Sequence, residues 1–126
     1  MKFSLLMILV AGLLPMVCAG IAKSRLKSYD NHHPREWARG LTGWRARADA
    51  AQSNSLEAFP FFGIGVLVAL HAGVDGTLVD QLAGAFVIAR LGYIALYVAD
   101  KASLRSLVWT VGHGLIIALY VLALRA

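Results

Sequence analysis

Four apolar blocks, each long enough to cross a membrane as a helix, set the limits on how this chain can fold. They cover residues 3–22, 56–74, 78–98 and 104–124. A helix needs about 20 apolar residues to cross a hydrocarbon core of about 30 Å. Hydrophobic residues make up 59% of the 126-residue chain, and no block alternates apolar and polar residues as outer-membrane barrel strands do. We predict an all-α integral membrane four-helix bundle, a single domain over 1–126 with helices near 3–22, 54–74, 78–98 and 104–124.

The first block also has features of a secretory signal peptide. Lys2 precedes it, and Val17-Cys18-Ala19 resembles a small-residue cleavage site. The apolar run is nevertheless about as long as a full span, and Lys23 and further basic residues follow it as stop-transfer flanks do. We therefore expect a retained first helix. With a single cysteine the chain has no internal disulfide and no multi-cysteine zinc site, and we predict no metal site.

Basic residues are concentrated in the loop 23–53, which carries seven Lys or Arg against three acidic residues. The turn between the second and third blocks holds Asp75 and no basic residue, whereas the next turn holds Lys101. The positive-inside rule then places the first and third loops in the cytoplasm and both termini outside. A basic stretch beside a membrane is predicted to contact anionic lipid, and we expect no nucleic-acid partner.

The loop 23–53 is the one sizeable polar region of the sequence. From Arg35 onward, Trp37, Leu41, Trp44 and Ala48 recur at three- and four-residue steps, which predicts an amphipathic interfacial helix, weakened by two glycines. The alanine-rich stretch 45–52 is expected to continue into the second membrane helix. The histidine pair at 32–33 lies in a turn-forming sequence, and we interpret it as a solvated turn.

Two short polar strings interrupt the apolar segments near the predicted cytoplasmic face. Asn54 and Glu57 are three residues apart, and hence on one face of the second helix. Arg90, Tyr93 and Tyr97 follow at steps of three and four residues, which stacks them in one stripe of the third helix. Ionisable groups at membrane depth are costly and usually face a partner or a cavity. The two strings therefore indicate a candidate site.

Arg105 enters the fourth helix from the same side and would join this cluster. Each residue also has a structural interpretation. Glu57 and Arg90 could neutralise one another as a buried pair. Tyr97 could belong to an interfacial aromatic belt, and Arg105 could extend to the headgroups. Spacing alone leaves a ligand site and these structural roles equally open.

The strings Asn-x-x-Glu-x-Phe-Pro and Ala-Arg-Leu-x-Tyr-x-x-x-Tyr, with an arginine opening the fourth helix, resemble the MAPEG family, the membrane-associated proteins in eicosanoid and glutathione metabolism. The resemblance covers all four helices. The short chain and the form Asn-Ser-Leu-Glu-Ala-Phe-Pro are more similar to the bacterial branch, which implies the inner (cell) membrane. The resemblance further implies a homotrimer, with glutathione between neighbouring protomers near the cytoplasmic face and a lipophilic small molecule as the second substrate.

Carried over by this resemblance, the glutathione-binding residues are Gln52, Asn54, Glu57, Arg90, Tyr93 and Tyr97, and the catalytic residues are Arg105 and Tyr93. Arg105 matches the family arginine that lies against the sulfur. A thiol has an ordinary pKa of about 8.5, and an adjacent guanidinium favours the nucleophilic thiolate. The resemblance thus implies a glutathione transferase or a lipid hydroperoxide peroxidase.

One departure from the family pattern concerns Ala50, which stands where the family has an arginine for a glutathione carboxylate. Arg47, one turn earlier, is a candidate replacement. Because the family includes a member that binds lipid without catalysis, the alternative is a non-catalytic lipid-binding or partner-binding scaffold. His113, between two glycines, is expected to make an interhelical hydrogen bond, and His71 is expected at an interface.

Overall fold

The computed structural model describes residues 2–25 and 27–126, which form five helices. They are α1 (Lys2–Lys23), α2 (Pro34–Arg39), α3 (Gly43–His71), α4 (Gly76–Val98) and α5 (Ala102–Arg125). Four of them, all except α2, are long and apolar enough to cross a membrane. Many large apolar side chains point outward, for example Ile88, which is 72% exposed, as expected for helices facing lipid. The predicted all-α membrane four-helix bundle is confirmed.

The predicted interfacial helix is broken in the structure. The short helix α2 ends at Arg39 and Gly40 caps it, so the pattern that starts at Arg35 does not continue to Trp44 as one helix. Thr42 is extended, and Gly43 has a φ of +61°, a left-handed conformation that glycine adopts without strain. Two glycines within four positions therefore override the amphipathic spacing.

Helix α3 begins at Gly43, well before the predicted start near 54, so the alanine-rich stretch forms its first turns. Two arginines in these turns donate hydrogen bonds to carbonyl groups at the ends of other helices. Arg45 Nη2 donates to the Ser24 carbonyl at 3.1 Å, and Arg47 Nε donates to the Val98 carbonyl at 3.1 Å. Val98 is the last residue of α4, where carbonyls lack partners within the helix. The extension of α3 is thus fastened to the same end of the bundle that holds the polar strings.

Helix α1 packs mainly on α3 and α5 mainly on α4, while α3 contacts all three other membrane helices. The core lies between α3 and α4, where the fully buried rings of Phe62 and Phe86 stack with centroids 4.0 Å apart. Gly65 lets α5 approach α3 closely, because a Cβ there would lie 3.0 Å from Tyr120 Cε2. These contacts fix the rotation of each helix, and thereby decide which side chains face one another.

Short connections make consecutive membrane helices antiparallel. Helices α3 and α4 are joined through Asp75, whose carboxylate accepts a hydrogen bond from the Leu78 amide at 3.0 Å and so caps α4. Helices α4 and α5 are separated by three residues. As a result Asn54, Tyr97 and Arg105 lie at the same end of the bundle, as the sequence predicted.

Candidate functional site

Arg90 is buried between α3 and α4 and is only 3% exposed. It donates from Nη1 to Asn54 Oδ1 and from Nη2 to Ser55 Oγ, both at 2.9 Å. Both acceptors belong to α3, so a single guanidinium joins the two central helices. Hydrogen bonds from a charged donor are stronger than neutral ones, and burial strengthens them further.

The interpretation of Glu57 and Arg90 as a buried ion pair is not supported by the structure, in which Arg90 bonds to Asn54 and Ser55. Glu57 is exposed, and within 2–25 and 27–126 no ion pair joins it to Arg90. Helical geometry explains the outcome, because residue 57 lies about 110° around α3 from the direction midway between Asn54 and Ser55. Arg90 points between those two residues, and Glu57 lies outside its reach. The buried charge is solvated by an amide and a hydroxyl.

Two tyrosines of α4 form one wall of the site. Tyr93 is 5% exposed and Tyr97 is half-buried, and their rings meet edge to face with centroids 5.6 Å apart. Each ring carries a guanidinium on its face: Arg90 lies 4.2 Å from the Tyr93 centroid and Arg105 lies 4.0 Å from the Tyr97 centroid. Such cation–π contacts hold a cation in place without consuming its hydrogen-bond donors. Arg105 is held on the Tyr97 ring, and no side-chain hydrogen bond from its guanidinium occurs within residues 2–25 and 27–126.

An open cleft of about 400 Å³ lies between these groups and α5. Seven residues line it: Asn54, Tyr93, Tyr97, Arg105, Ser106, Trp109 and Thr110. Four of the predicted site residues are among them, namely Asn54, Tyr93, Tyr97 and Arg105. The cleft offers a carboxamide, two phenols and a guanidinium, together with an indole surface. This combination suits an anionic, polar ligand beside an apolar one.

Sequence reasoning missed four residues at the site, and spacing could have found them. Trp109 lies four positions after Arg105, and Thr110 lies four positions after Ser106, so each follows a residue of the site on its own side of α5. Ser106 is next to Arg105. Ser55, a small polar residue within an apolar helix, belongs to the class that forms hydrogen bonds between membrane helices.

Gln52 lies apart from this cleft. It lines a second cleft of about 410 Å³ between α1, α2 and α3, which also contains Lys23, Arg35, Arg39 and Asp49. Two residues along a helix correspond to a rotation of about 200°, so Gln52 and Asn54 face opposite sides of α3. One chain therefore does not bring Gln52 to the other predicted site residues, and Glu57 lines neither cleft.

The family arginine that binds a glutathione carboxylate is replaced here by Ala50, and Arg47 is the candidate substitute. Neither residue lines the cleft in this chain. Ala50, one turn before Asn54, offers no polar group. Arg47 is drawn to the end of α4 by its bond to Val98 and is absent from the cleft lining. In the described ranges, no cluster of three or more potential metal ligands occurs.

The histidines differ from expectation in one respect. His113 Nδ1 bonds to the Trp109 carbonyl at 3.1 Å within α5, so the predicted hydrogen bond to another helix is replaced by one within the same helix. His71 is exposed at the last residue of α3. His32 and His33 are exposed in a turn, as interpreted.

Comparison with known proteins gave one match. The family model of the MAPEG family matches residues 3–125, nearly the whole chain. No curated protein and no solved structure matches the chain significantly.

Proposed function

This chain belongs to the MAPEG family, whose members are glutathione-dependent transferases, peroxidases or related proteins, and we propose that it transfers the glutathione thiolate to a lipophilic electrophile. It is a multi-pass membrane protein. The observation that carries the proposal is the position of Arg105. Its guanidinium lies on the Tyr97 ring and lines the cleft shared with Tyr93 and Asn54.

Arg105 supplies the charge that the chemistry needs. A thiol with an ordinary pKa of about 8.5 is mostly protonated at pH 7, and a neighbouring cation lowers that pKa. A guanidinium is a cation with hydrogen-bond donors and no acceptor, so it can stabilise the thiolate without taking its proton. The Tyr93 hydroxyl, deeper in the cleft, is the proposed second donor to the sulfur, which makes Arg105 and Tyr93 the catalytic residues.

The proposed reaction is conjugate addition. The glutathione sulfur attacks the β-carbon of an unsaturated carbonyl compound, forming a carbon–sulfur bond. The electron pair of the carbon–carbon double bond moves to the carbonyl oxygen as an enolate, which then takes a proton at its α-carbon. The proton that the thiol released to water balances this step, so no oxidant or reductant is needed.

The remaining predicted contacts support a site shared between protomers. Asn54, Tyr97 and Arg105 belong to one cleft, whereas Gln52 lines the other. In a homotrimer, the cleft of one protomer that contains Gln52 could face the cleft of its neighbour that contains Arg105. Gln52 would then contact the same glutathione molecule. Glu57, exposed near Asn54, would then pair with the glutathione amine, and Arg90 would act from beneath by holding Asn54.

The proposed location is the bacterial inner membrane, with the first and third loops in the cytoplasm. The cleft opens at that end of the bundle, where glutathione, a cytoplasmic thiol, is available. Membrane lipids surround the apolar faces, and the electrophile enters from the bilayer, past the exposed side of Trp109.

Two alternatives share the same cleft. In a peroxidase, two glutathione molecules would be oxidised to their disulfide while a lipid hydroperoxide is reduced to its alcohol and water. In a non-catalytic scaffold, the cleft would hold lipid or a partner only. Ala50 favours the scaffold, because it removes a charged contact for glutathione.

One set of measurements on the detergent-purified protein tests the proposal. Titration calorimetry should show glutathione binding, and 2-dodecenal with glutathione should give the thioether adduct at a protein-dependent rate. Glutathione binding without adduct formation would support the scaffold. Formation of glutathione disulfide only with a lipid hydroperoxide would support the peroxidase. Absence of glutathione binding would refute every glutathione-dependent form of the proposal.

A further inference from the structure

His113 is an imidazole in the middle of a membrane-spanning helix. It lies halfway along α5, so if α5 spans the bilayer this residue is near the bilayer centre. Its ring stacks on Trp109, with centroids 3.9 Å apart and planes inclined by 24°. An ionisable side chain at this depth is expensive and, as a rule, has a functional partner.

The hydrogen bond of His113 determines what its other nitrogen can do. Nδ1 lies 3.1 Å from the Trp109 carbonyl oxygen, which can only accept, so Nδ1 carries the proton. In the neutral ring, Nε2 is then an acceptor with a free lone pair. No hydrogen bond to Nε2 occurs among the residues that the structure describes. An acceptor left unpaired in hydrocarbon carries a desolvation cost, so the group that meets it should be a hydrogen-bond donor.

His113 is continuous with the cleft. Trp109 lines the cleft on one side and stacks on His113 on the other. Beyond it lies Phe61, whose ring centroid is 6.4 Å from that of His113 and which stacks on Tyr120. These rings form an aromatic surface, Trp109, His113, Phe61 and Tyr120, that runs from the cleft toward the bilayer centre. Arg105 and His113 are eight positions apart, or about 12 Å along the helix.

We propose that His113 Nε2 accepts a hydrogen bond from a hydroxyl group of the lipophilic substrate, about 12 Å from the carbon that reacts beside Arg105. The substrate class is then an aliphatic electrophile that carries a remote hydroxyl, with its chain on the aromatic surface. The inference rests on the proposed function, because that function identifies the electrophilic end of the substrate beside Arg105. Its first test does not depend on turnover.

That test uses nitrogen NMR of the histidine-labelled wild-type protein in lipid nanodiscs. The His113 signals, identified by their loss in His113→Phe, should show a protonated Nδ1 and an unprotonated Nε2. Dodecanol should shift the Nε2 signal toward a hydrogen-bonded value, whereas dodecane should not, and His71 should respond to neither. A proton on Nε2, an Nε2 already hydrogen-bonded before dodecanol is added, or no response to dodecanol would each overturn the inference. The second of these outcomes would assign the donor to a neighbouring copy of the chain.

A kinetic test compares 2-dodecenal with 12-hydroxy-2-dodecenal, the same aldehyde bearing a hydroxyl on its terminal carbon. In wild type, kcat/KM should be about five- to tenfold higher for the hydroxylated aldehyde, the effect of one hydrogen bond. The ratio should fall to about one in His113→Phe and keep its wild-type value in His71→Phe. An unchanged ratio in His113→Phe would refute the role of His113. If neither aldehyde is turned over, the proposed function fails, and the NMR result decides this inference separately.

Discussion

The Arg90 guanidinium donates to Asn54 Oδ1 across the interface of α4 and α3, at 2.9 Å. This bond turns the carbonyl end of the Asn54 amide toward Arg90 and leaves the NH₂ end for the cleft that Asn54 lines. The two residues are far apart in sequence, yet their roles are linked. Arg90 fixes the orientation of a group that a ligand carboxylate or carbonyl can recognise.

Replacing Arg90 by alanine should destabilise the protein. The change leaves Asn54 and Ser55 without their buried donor and opens a cavity between α3 and α4, at a cost of about 2–4 kcal/mol. The melting temperature in detergent should fall by roughly 10 °C. Glu57→Gln is the matched control and should melt as wild type does, because Glu57 is exposed and unpaired with Arg90. Equal decreases in melting temperature in the two variants would indicate that Glu57 and Arg90 do form a pair.

Arg105→Ala should lower kcat more than it weakens glutathione binding. Loss of the guanidinium would return the pKa of the bound thiol toward its ordinary value of about 8.5, a shift of about one to two units, so the thiolate fraction at pH 7, and with it kcat, should fall by roughly eight- to twenty-five-fold. Arg105→Lys should recover part of the rate as a point charge. The thiolate absorbance of bound glutathione, followed against pH, measures the effect directly. Lys101→Ala, at the same end of the bundle and outside the cleft, should leave it unchanged; an unaltered thiol pKa in Arg105→Ala would remove Arg105 from catalysis.

Ala50→Arg should strengthen glutathione binding. Residue 50 lies one turn before Asn54 on the same side of α3, and an arginine there would add a charge-assisted contact of about 1.5–3 kcal/mol. Calorimetry should show a Kd lower by about one to two orders of magnitude. Ser103→Arg adds the same charge at an exposed position outside the cleft. If both variants gain equally, the improvement comes from net charge alone.

Gly65→Ala should destabilise the bundle where α5 crosses α3. The new Cβ would lie 3.0 Å from Tyr120 Cε2 and would displace a ring whose hydroxyl donates to the Phe61 carbonyl at 3.1 Å. Overpacking of this kind costs about 1–3 kcal/mol, and thermal unfolding should detect it. In Gly114→Ala the added Cβ would lie more than 4 Å from every packing neighbour among the described residues, so this variant should be neutral or slightly stabilising. A Gly65→Ala variant as stable as Gly114→Ala would show that Tyr120 moves aside freely.

The basic loops should hold their end of the bundle in the cytoplasm. A reporter active only outside the membrane should function when fused after Ala126 and remain inactive within 31–34. A fusion at Lys101, in the third loop, should agree with the one at 31–34. A cytoplasmic reporter signal at Ala126 would invert the topology and place the cleft on the outer face.

Sequence alone specified the helices and the depth of their polar groups. Span length and hydropathy are sums over local residues, so the four membrane helices could be predicted before any contact was known. Short connections force antiparallel neighbours, and this placed Asn54, Tyr97 and Arg105 at one end. Periodicity also indicated that Tyr93 and Tyr97 share a stripe.

Only the tertiary structure decided which neighbour each polar side chain contacts. Helix rotation is set by packing, such as the stacked rings of Phe62 and Phe86, and a shift of one position turns a side chain by about 100°. Arg90 therefore meets Asn54 and Ser55 and misses Glu57, although all three acceptors lie close together in sequence. The same rotation sends Gln52 to a different cleft. Depth follows from the order of residues along a helix, whereas the partner of a side chain depends on neighbours that only the folded bundle brings together.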